Sequence, residues 1–150
     1  MCKPVEAPVV GTVYKLALSQ NTRGEVLYFA GAMSGNFLAT TTKPDKGVDV
    51  FAEETEGGVK LYFMDGETKT YIDAHSYAEG KVGVRLTTEP TAVWVWNAEL
   101  GLYTATVIEK VWYLGTYSDY NTMSLSETWR ISGDKASSVG VSQFPAYLST

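Results

Sequence analysis

The chain has 150 residues, 45% of them apolar and 19% charged, which is the composition of one globular domain with a single core. Seventeen acidic residues against twelve basic ones give a net charge of −5, and lysine and arginine are not clustered, so no nucleic-acid partner is expected. No stretch approaches the roughly 20 apolar residues that span a bilayer, so the sequence predicts a soluble, cytoplasmic protein without a membrane partner.

Residues 1–11 contain two prolines and no periodic pattern, so they are interpreted as a loose lead-in to a single domain at 12–150. From residue 12 onward, short segments of alternating apolar and polar residues are separated by polar, glycine-containing turns, which is typical of β-strands. No window has the spacing of an amphipathic helix, and the expected fold class is therefore all-β. The predicted strands are 13–18, 25–32, 36–41 and 48–52 in a first round, 59–63, 70–75, 82–88 and 92–96 in a second, and 102–107, 111–116, 122–126, 128–131 and 139–141 in a third.

Each round contains one copy of a motif in which a tyrosine is followed by a large apolar residue. Tyr28, Tyr71 and Tyr113 stand 43 and 42 residues apart, and a fixed period of this size indicates a repeat architecture. A valine pair also recurs in the third strand of each round, counted from the motif strand, and the residue between the valines is expected on the opposite face. The pairs are Val48 and Val50, Val93 and Val95, and Val139 and Val141, and the residues between them are Asp49, Trp94 and Gly140.

The strand at 13–18 precedes the first motif copy, so it takes the place of the last strand of the third round. We therefore expect it to pair with the third motif strand or its neighbours and to close the fold. Three rounds are too few for a propeller, which has about four to eight blades. The pattern resembles a β-trefoil, with twelve strands in three pseudo-symmetric repeats of about 43 residues over 12 to about 144.

The resemblance implies a group of core residues related by the repeat. Phe29, Ile72 and Leu114 are expected to occupy equivalent buried positions, as are Leu16 and Leu61, and each buried side chain contributes roughly 1.5–3 kcal/mol. The residues that follow the first three, namely Ala30, Asp73 and Gly115, are expected to face the opposite way and to tolerate variation.

Catalytic and metal sites are not expected. A Ser-His-Asp or Cys-His arrangement would have to use His75, the single histidine, which ends a motif strand and is interpreted as exposed or packed. Cys2 and His75 are too few for structural zinc, and no phosphate-binding motif occurs. The acidic run at Glu53, Glu54 and Glu56 is interpreted as a solvated turn. The sequence thus predicts a protein that is not an enzyme and has no cofactor.

Aromatic residues give two candidate binding sites. Trp94 stands where the other rounds have Asp49 and Gly140, so it is interpreted as an exposed platform, with Asn97 as a polar neighbour. Trp96 either belongs to this site or, like Phe51, fills the layer under the hairpin cap. The second candidate is the turn that contains Tyr117, Asp119, Tyr120 and Asn121, which also has the ordinary composition of a hairpin turn.

These residues favour a non-catalytic, lectin-like module that binds neutral saccharides. Beta-trefoils include ricin-type lectins, fascin-like modules, protease inhibitors and cytokines, but the Gln-x-Trp motif of the ricin type is reduced here to Gln143 without its tryptophan. The alternative is a protein-interaction module, fascin-like or inhibitor-like, acting through the loop at 42–47. A barrel with a small apolar ligand inside is a weaker possibility, because a trefoil barrel is filled by its own side chains.

Overall fold

A computed structural model describes residues 11, 13–20, 25–97, 102–117, 122–126 and 143–149 of the chain. The described residues are all-β, with twelve strands and a single 3-10 turn at Pro44–Lys46. The strands are β1 (Lys15–Gln20), β2 (Glu25–Ser34), β3 (Phe37–Thr41), β4 (Phe51–Thr55), β5 (Gly58–Asp65), β6 (Thr68–Ala78), β7 (Lys81–Thr87), β8 (Trp94–Asn97), β9 (Leu102–Val107), β10 (Lys110–Tyr117), β11 (Ser124–Ser126) and β12 (Gln143–Ser149).

Glycine sets the local geometry at two points between or within these strands. The β5–β6 hairpin turns at Gly66, whose φ of 61° is the left-handed conformation that glycine adopts without strain. Gly31 lies at an irregularity in the β2–β3 pairing and has a φ of 77°, and a Cβ at this position would lie 2.7 Å from Val48. The chain therefore bends at Gly31 because this position has no side chain.

The strands form one antiparallel sheet that nearly closes on itself. Its order is β3-β2-β1-β12-β10-β9-β8-β5-β6-β7, with β11 added to β10 and β4 added to β5. The two end strands of this path, β3 and β7, contact each other, so the sheet curls into a near-closed barrel. β1 pairs with β12, which also pairs with β10, and the predicted closure by the N-terminal strand is confirmed.

The same pairing scheme recurs along the chain. β1, β5 and β9 each pair with the strand that follows, and β2, β6 and β10 each pair in turn with the next strand. β4 and β8 then pair with β5 and β9, the first strands of the following round. The first two rounds therefore share this pairing scheme, whereas in the third round β12 pairs with both β1 and β10.

Repeated apolar positions form the centre of the core. Phe29, Ile72 and Leu114 are all buried, as the sequence predicts. Leu61 pairs directly with Ile72, and continuing the β9–β10 register by one residue places Tyr103 opposite Leu114. Tyr103 is therefore the third-round counterpart of Leu61, and this buried position changes from leucine to tyrosine.

A buried carboxylate, Asp73 on β6, joins the loop before β8 to the core. Its Oδ1 accepts hydrogen bonds from the backbone N–H groups of Thr91 and Ala92 at 3.1 and 2.8 Å, and its Oδ2 accepts one from Arg85 Nε at 2.8 Å. The expectation that Asp73 faces the way opposite to Ile72 did not include its burial: the side chain is fully buried under Arg85 and the loop before β8. Asp73 thus fixes the point where the chain enters β8.

The central packing position gives a first prediction. Replacing Leu114, which has no exposed surface, with alanine removes buried methyl groups and leaves a cavity, so the free energy of unfolding should fall by roughly 2–5 kcal/mol. Val111→Ala on the same strand is the matched control, because Val111 is exposed and its loss should stay within about 0.5 kcal/mol. Urea denaturation of both variants measures this difference, and equal losses would contradict the assigned core.

Asp73 gives a second prediction. Asp73→Ala leaves the buried N–H of Ala92 and the part-buried N–H of Thr91 without their acceptor, so we expect the free energy of unfolding to fall by roughly 2–4 kcal/mol. Asp49→Ala is the control, because its carboxylate is 57% exposed and pairs with Lys15 at the surface, where an ion pair contributes about 1 kcal/mol or less. Thermal or urea unfolding measures both, and similar losses would show that the Asp73 hydrogen bonds do not stabilise the loop.

Candidate functional site

A row of three aromatic side chains crosses the outer face of strands β4, β5 and β6. Phe51 pairs with Tyr62, and Tyr62 pairs with Tyr71, so the three residues stand side by side across the strands. They are half-buried and alternate with inward-facing neighbours such as Leu61. The rings of Phe51 and Tyr62 stack with centroids 5.2 Å apart, and those of Tyr62 and Tyr71 are tilted at 5.6 Å.

An ion pair holds this aromatic row in place. Lys69 Nζ lies 2.7 Å from Glu53 Oε2, and the Tyr71 hydroxyl donates to Glu53 Oε1 at 3.1 Å. The same ammonium group lies over the ring of Tyr62, 4.3 Å from its centroid. The Tyr62 ring is therefore contacted by Phe51 and by Lys69, a cation–π arrangement that fixes its orientation.

The charges of this ion pair reinforce each other. The hydrogen bond from Lys69 lowers the pKa of Glu53 below its ordinary value, and the same bond raises the pKa of Lys69. Burial, followed by the hydrogen bond to Glu53, raises the pKa of Tyr71, so its hydroxyl remains protonated at neutral pH. At neutral pH, Glu53 is therefore ionised, Lys69 is protonated and the Tyr71 hydroxyl is neutral, which are the protonation states that their contacts require.

A groove of about 500 Å³ lies beside this row, and Phe51 belongs to both. Lys15 Nζ crosses one part of the groove, donating to the Gly47 carbonyl at 2.7 Å and to Asp49 Oδ1 at 2.9 Å. Met64 is exposed and adds an apolar surface. The residues that line the groove are Lys15, Asp45, Gly47, Val48, Asp49, Phe51 and Met64.

The groove combines the chemical groups that a polyhydroxyl ligand needs. The ring of Phe51 offers an apolar face, the carboxylates of Asp45 and Asp49 accept hydrogen bonds, and Lys15 donates them. Among the residues described, no group of three histidine, cysteine or acidic side chains could hold a metal ion.

Trp94 does not form the exposed platform that the sequence predicts. Its side chain is 1% exposed, and its indole N–H donates to the carbonyl of Ile72 at 2.8 Å. The strand registers match Ala52 of β4 with Trp96 of β8, which makes Val50 the counterpart of Trp94. The interpretation of Trp94 as a break in the repeat is wrong by one residue, since both Val50 and Trp94 face the core.

The remaining predicted residues divide into two groups. Trp96 and Asn97 lie on β8 and are half-buried, and the Trp96 ring meets Tyr103 edge-on at 5.1 Å. Trp96 therefore packs against the core, the second of its two interpretations. Tyr117 ends β10, while Asp119, Tyr120 and Asn121 lie outside the residues that the structure describes.

The groove itself was not predicted from the sequence. The sequence predicts that Phe51 fills the layer under the hairpin cap, but its alternation with the buried Val50 places it on the outer face. This alternation was the available sequence signal. The contact between Lys15 and Asp49 joins positions 34 residues apart, which no local pattern indicates.

His75 is half-buried on β6 and lines a small cavity of about 150 Å³ together with Asn36 and Tyr77. Its ring centroid lies 6.1 Å from that of Tyr77. In the described ranges, no hydrogen bond joins His75 to a serine, threonine or carboxylate. Burial lowers the pKa of His75, the charge of Arg85 lowers it further, and Asp73 opposes the shift.

No family model, curated protein or solved structure matches this chain. In the part of the chain that the structure describes, there is also no helix of the length and apolar character needed to cross a membrane. The residues and their geometry are therefore the basis for assigning a function.

The environment of His75 gives a third prediction. Because its pKa in the folded protein lies below the ordinary value of 6.5, the folded state favours the neutral ring. The stability that His75 contributes is complete above about pH 6.5 and is lost as the pH falls through its folded pKa. Nuclear magnetic resonance of the single histidine, titrated in the native protein and in urea, measures the two pKa values directly.

A native pKa equal to or above the value in urea would contradict this assignment. His75→Gln is the matched variant for stability, since glutamine does not titrate. Between pH 7.5 and 5.5, this variant should lose less unfolding free energy than the natural protein does.

Proposed function

We propose that the chain is a β-trefoil whose function is non-catalytic binding of neutral saccharides in the groove beside Phe51. Two sets of pairings support the fold. β4–β5, β5–β8, β8–β9 and β12–β1 are neighbours, as in a six-stranded barrel, and a bridge between Tyr14 and Val50 connects the region of β1 to that of β4. The hairpins β2–β3, β6–β7 and β10–β11 also contact one another, partly through a bridge between Leu38 and Met123.

The stacked ring of Phe51 is the observation that carries the binding proposal. One side of this ring rests on Tyr62, which Lys69 holds in turn, and Phe51 also lines the groove. The C–H face of a pyranose packs on such a ring, while its hydroxyl groups donate to Asp45 and Asp49 or accept from Lys15. A ring that is already fixed loses little conformational entropy when a ligand binds.

Charge favours a neutral ligand over an acidic one. The chain carries a net charge of −5, and two carboxylates line the groove beside its single lysine. Sulfated or phosphorylated partners would be repelled by this field, whereas neutral hydroxyl groups would not. A site of this size buries little apolar area, so we expect binding in the millimolar range.

A protein-interaction module is the second candidate, and the loop before β4 favours it. Residues 42–46 are exposed and include the Pro44–Lys46 turn, and Asp45 of this loop also lines the groove. Such a loop could enter a partner's cleft. We rank it second because a partner surface would also be expected to use a larger apolar anchor than Met64 and the edge of Phe51.

A neutral-glycan array, followed by calorimetric titration of any hit, tests the saccharide proposal. Phe51→Ala should weaken binding roughly tenfold, which corresponds to about 1.4 kcal/mol, because the apolar platform is removed. Asp45→Asn should weaken it less, since an amide keeps one acceptor. Tyr77→Ala is the control, because Tyr77 is an exposed aromatic residue outside the groove, and it should bind normally.

Absence of binding to any neutral glycan at millimolar concentration would overturn the saccharide proposal, as would an unchanged affinity in a folded Phe51→Ala variant. The protein-interaction function would then be the better account. Loss of binding to a protein partner upon substitution of the 42–46 loop would support it.

A further inference from the structure

A second cavity, of about 200 Å³ and partly open to solvent, lies near the β4–β5 turn. It is lined mainly by inward-facing side chains of four strands: Ala52 of β4, Val59 of β5, Trp94 and Trp96 of β8, and Tyr103 of β9. Glu54 adds a carboxylate at its exposed edge. The saccharide groove shares none of these residues, so this cavity is a separate site.

The repeat explains why the cavity is there. Ala52 pairs with Leu61, and Trp96 pairs with Tyr103, the counterpart of Leu61, so alanine and tryptophan occupy equivalent inward positions. Protein interiors are packed with few voids larger than a water molecule. Trp96 fills this position in the second round. Ala52 occupies the same position in the first round, and its small side chain leaves the space that forms the cavity.

Tyr103 is the buried residue with a polar side chain that lines this space. Its side chain is 2% exposed, and its hydroxyl makes no hydrogen bond with any residue that the structure describes. Buried polar groups in native proteins almost always have a partner. Burial, reinforced by nearby Tyr14, raises the pKa of Tyr103 to about 12, so the hydroxyl remains a hydrogen-bond donor at neutral pH.

We propose that this cavity binds a small neutral molecule consisting of one aromatic ring with a carbonyl group, which accepts a hydrogen bond from Tyr103. The volume exceeds the roughly 150 Å³ of an apolar cavity that admits benzene, and it allows for one small substituent. The indole rings of Trp94 and Trp96 supply the apolar walls. Glu54 at the edge disfavours an anionic ligand.

Two probe molecules of similar size test the proposal. Acetophenone carries the carbonyl acceptor and ethylbenzene lacks it, so acetophenone should bind the natural protein roughly five- to tenfold more tightly. Each probe is titrated into the protein while the indole N–H signals are followed by nuclear magnetic resonance. The signals of Trp94 and Trp96 should shift, and the signal of Trp112 should stay unchanged. Trp112 lies outside the cavity and donates to the carbonyl of Val107.

Two variants separate the parts of the proposal. Tyr103→Phe keeps the ring and removes the hydroxyl, so the preference for acetophenone should disappear while ethylbenzene binds as before. Ala52→Leu fills the space, so both probes should bind at least tenfold more weakly. Phe51→Ala is the control for the outer groove and should bind both probes normally.

Three results would overturn the proposal: no binding of either probe up to its solubility limit, equal affinities for the two probes in the natural protein, or unchanged binding in a folded Ala52→Leu variant. If Ala52→Leu does not fold, the comparison of probes in Tyr103→Phe still decides the question. Neither outcome depends on whether a saccharide binds in the groove.

Discussion

The alternation of side chains along each strand is the constraint on which the rest of this structure depends. Successive residues point to opposite faces of the sheet. A one-residue shift in the pairing register of a strand therefore moves all its buried side chains to the outer face and all its outer side chains into the core. On β5, Leu61 and Phe63 are buried while Tyr62 between them joins the aromatic row. On β4, the neighbours Phe51 and Ala52 would serve two different proposed sites, one on each face of the same strand.

This constraint also explains which features the sequence predicts well. The motif strands and the equivalent burial of Phe29, Ile72 and Leu114 follow from a repeated local pattern, and so does the closure of the fold by β1. The valine pairs align Trp94 with Asp49, whereas its structural counterpart is Val50, because the segment from Ile72 to Trp94 is one residue longer than the segment from Phe29 to Val50. Two valine pairs that match by eye therefore lie on opposite faces, and the tryptophan between them is buried.

Other features depend on contacts that no local pattern contains. Asp73 is a polar residue in a strand, and its buried carboxylate is satisfied by Arg85 on the neighbouring strand and by the backbone of Thr91 and Ala92 from a distant loop. The ion pair of Lys69 with Glu53 likewise joins separate strands. A surface pair of this kind adds little to stability, but the same contacts orient the rings beside it. These polar contacts therefore matter for the proposed groove because they orient its side chains, and less because they stabilise the fold.

The pairing of β1 with β12 has a consequence for how the protein folds. Lys15 and Ser149 are neighbours in space but are separated by nearly the whole chain, whereas the hairpins pair residues that are close in sequence. Closing so long a loop carries a large entropic penalty, so we expect the hairpins to form first and the β1–β12 seam to form late. Until that seam forms, both strands remain open edges on which another chain can pair, so association between newly made copies competes with folding at this seam.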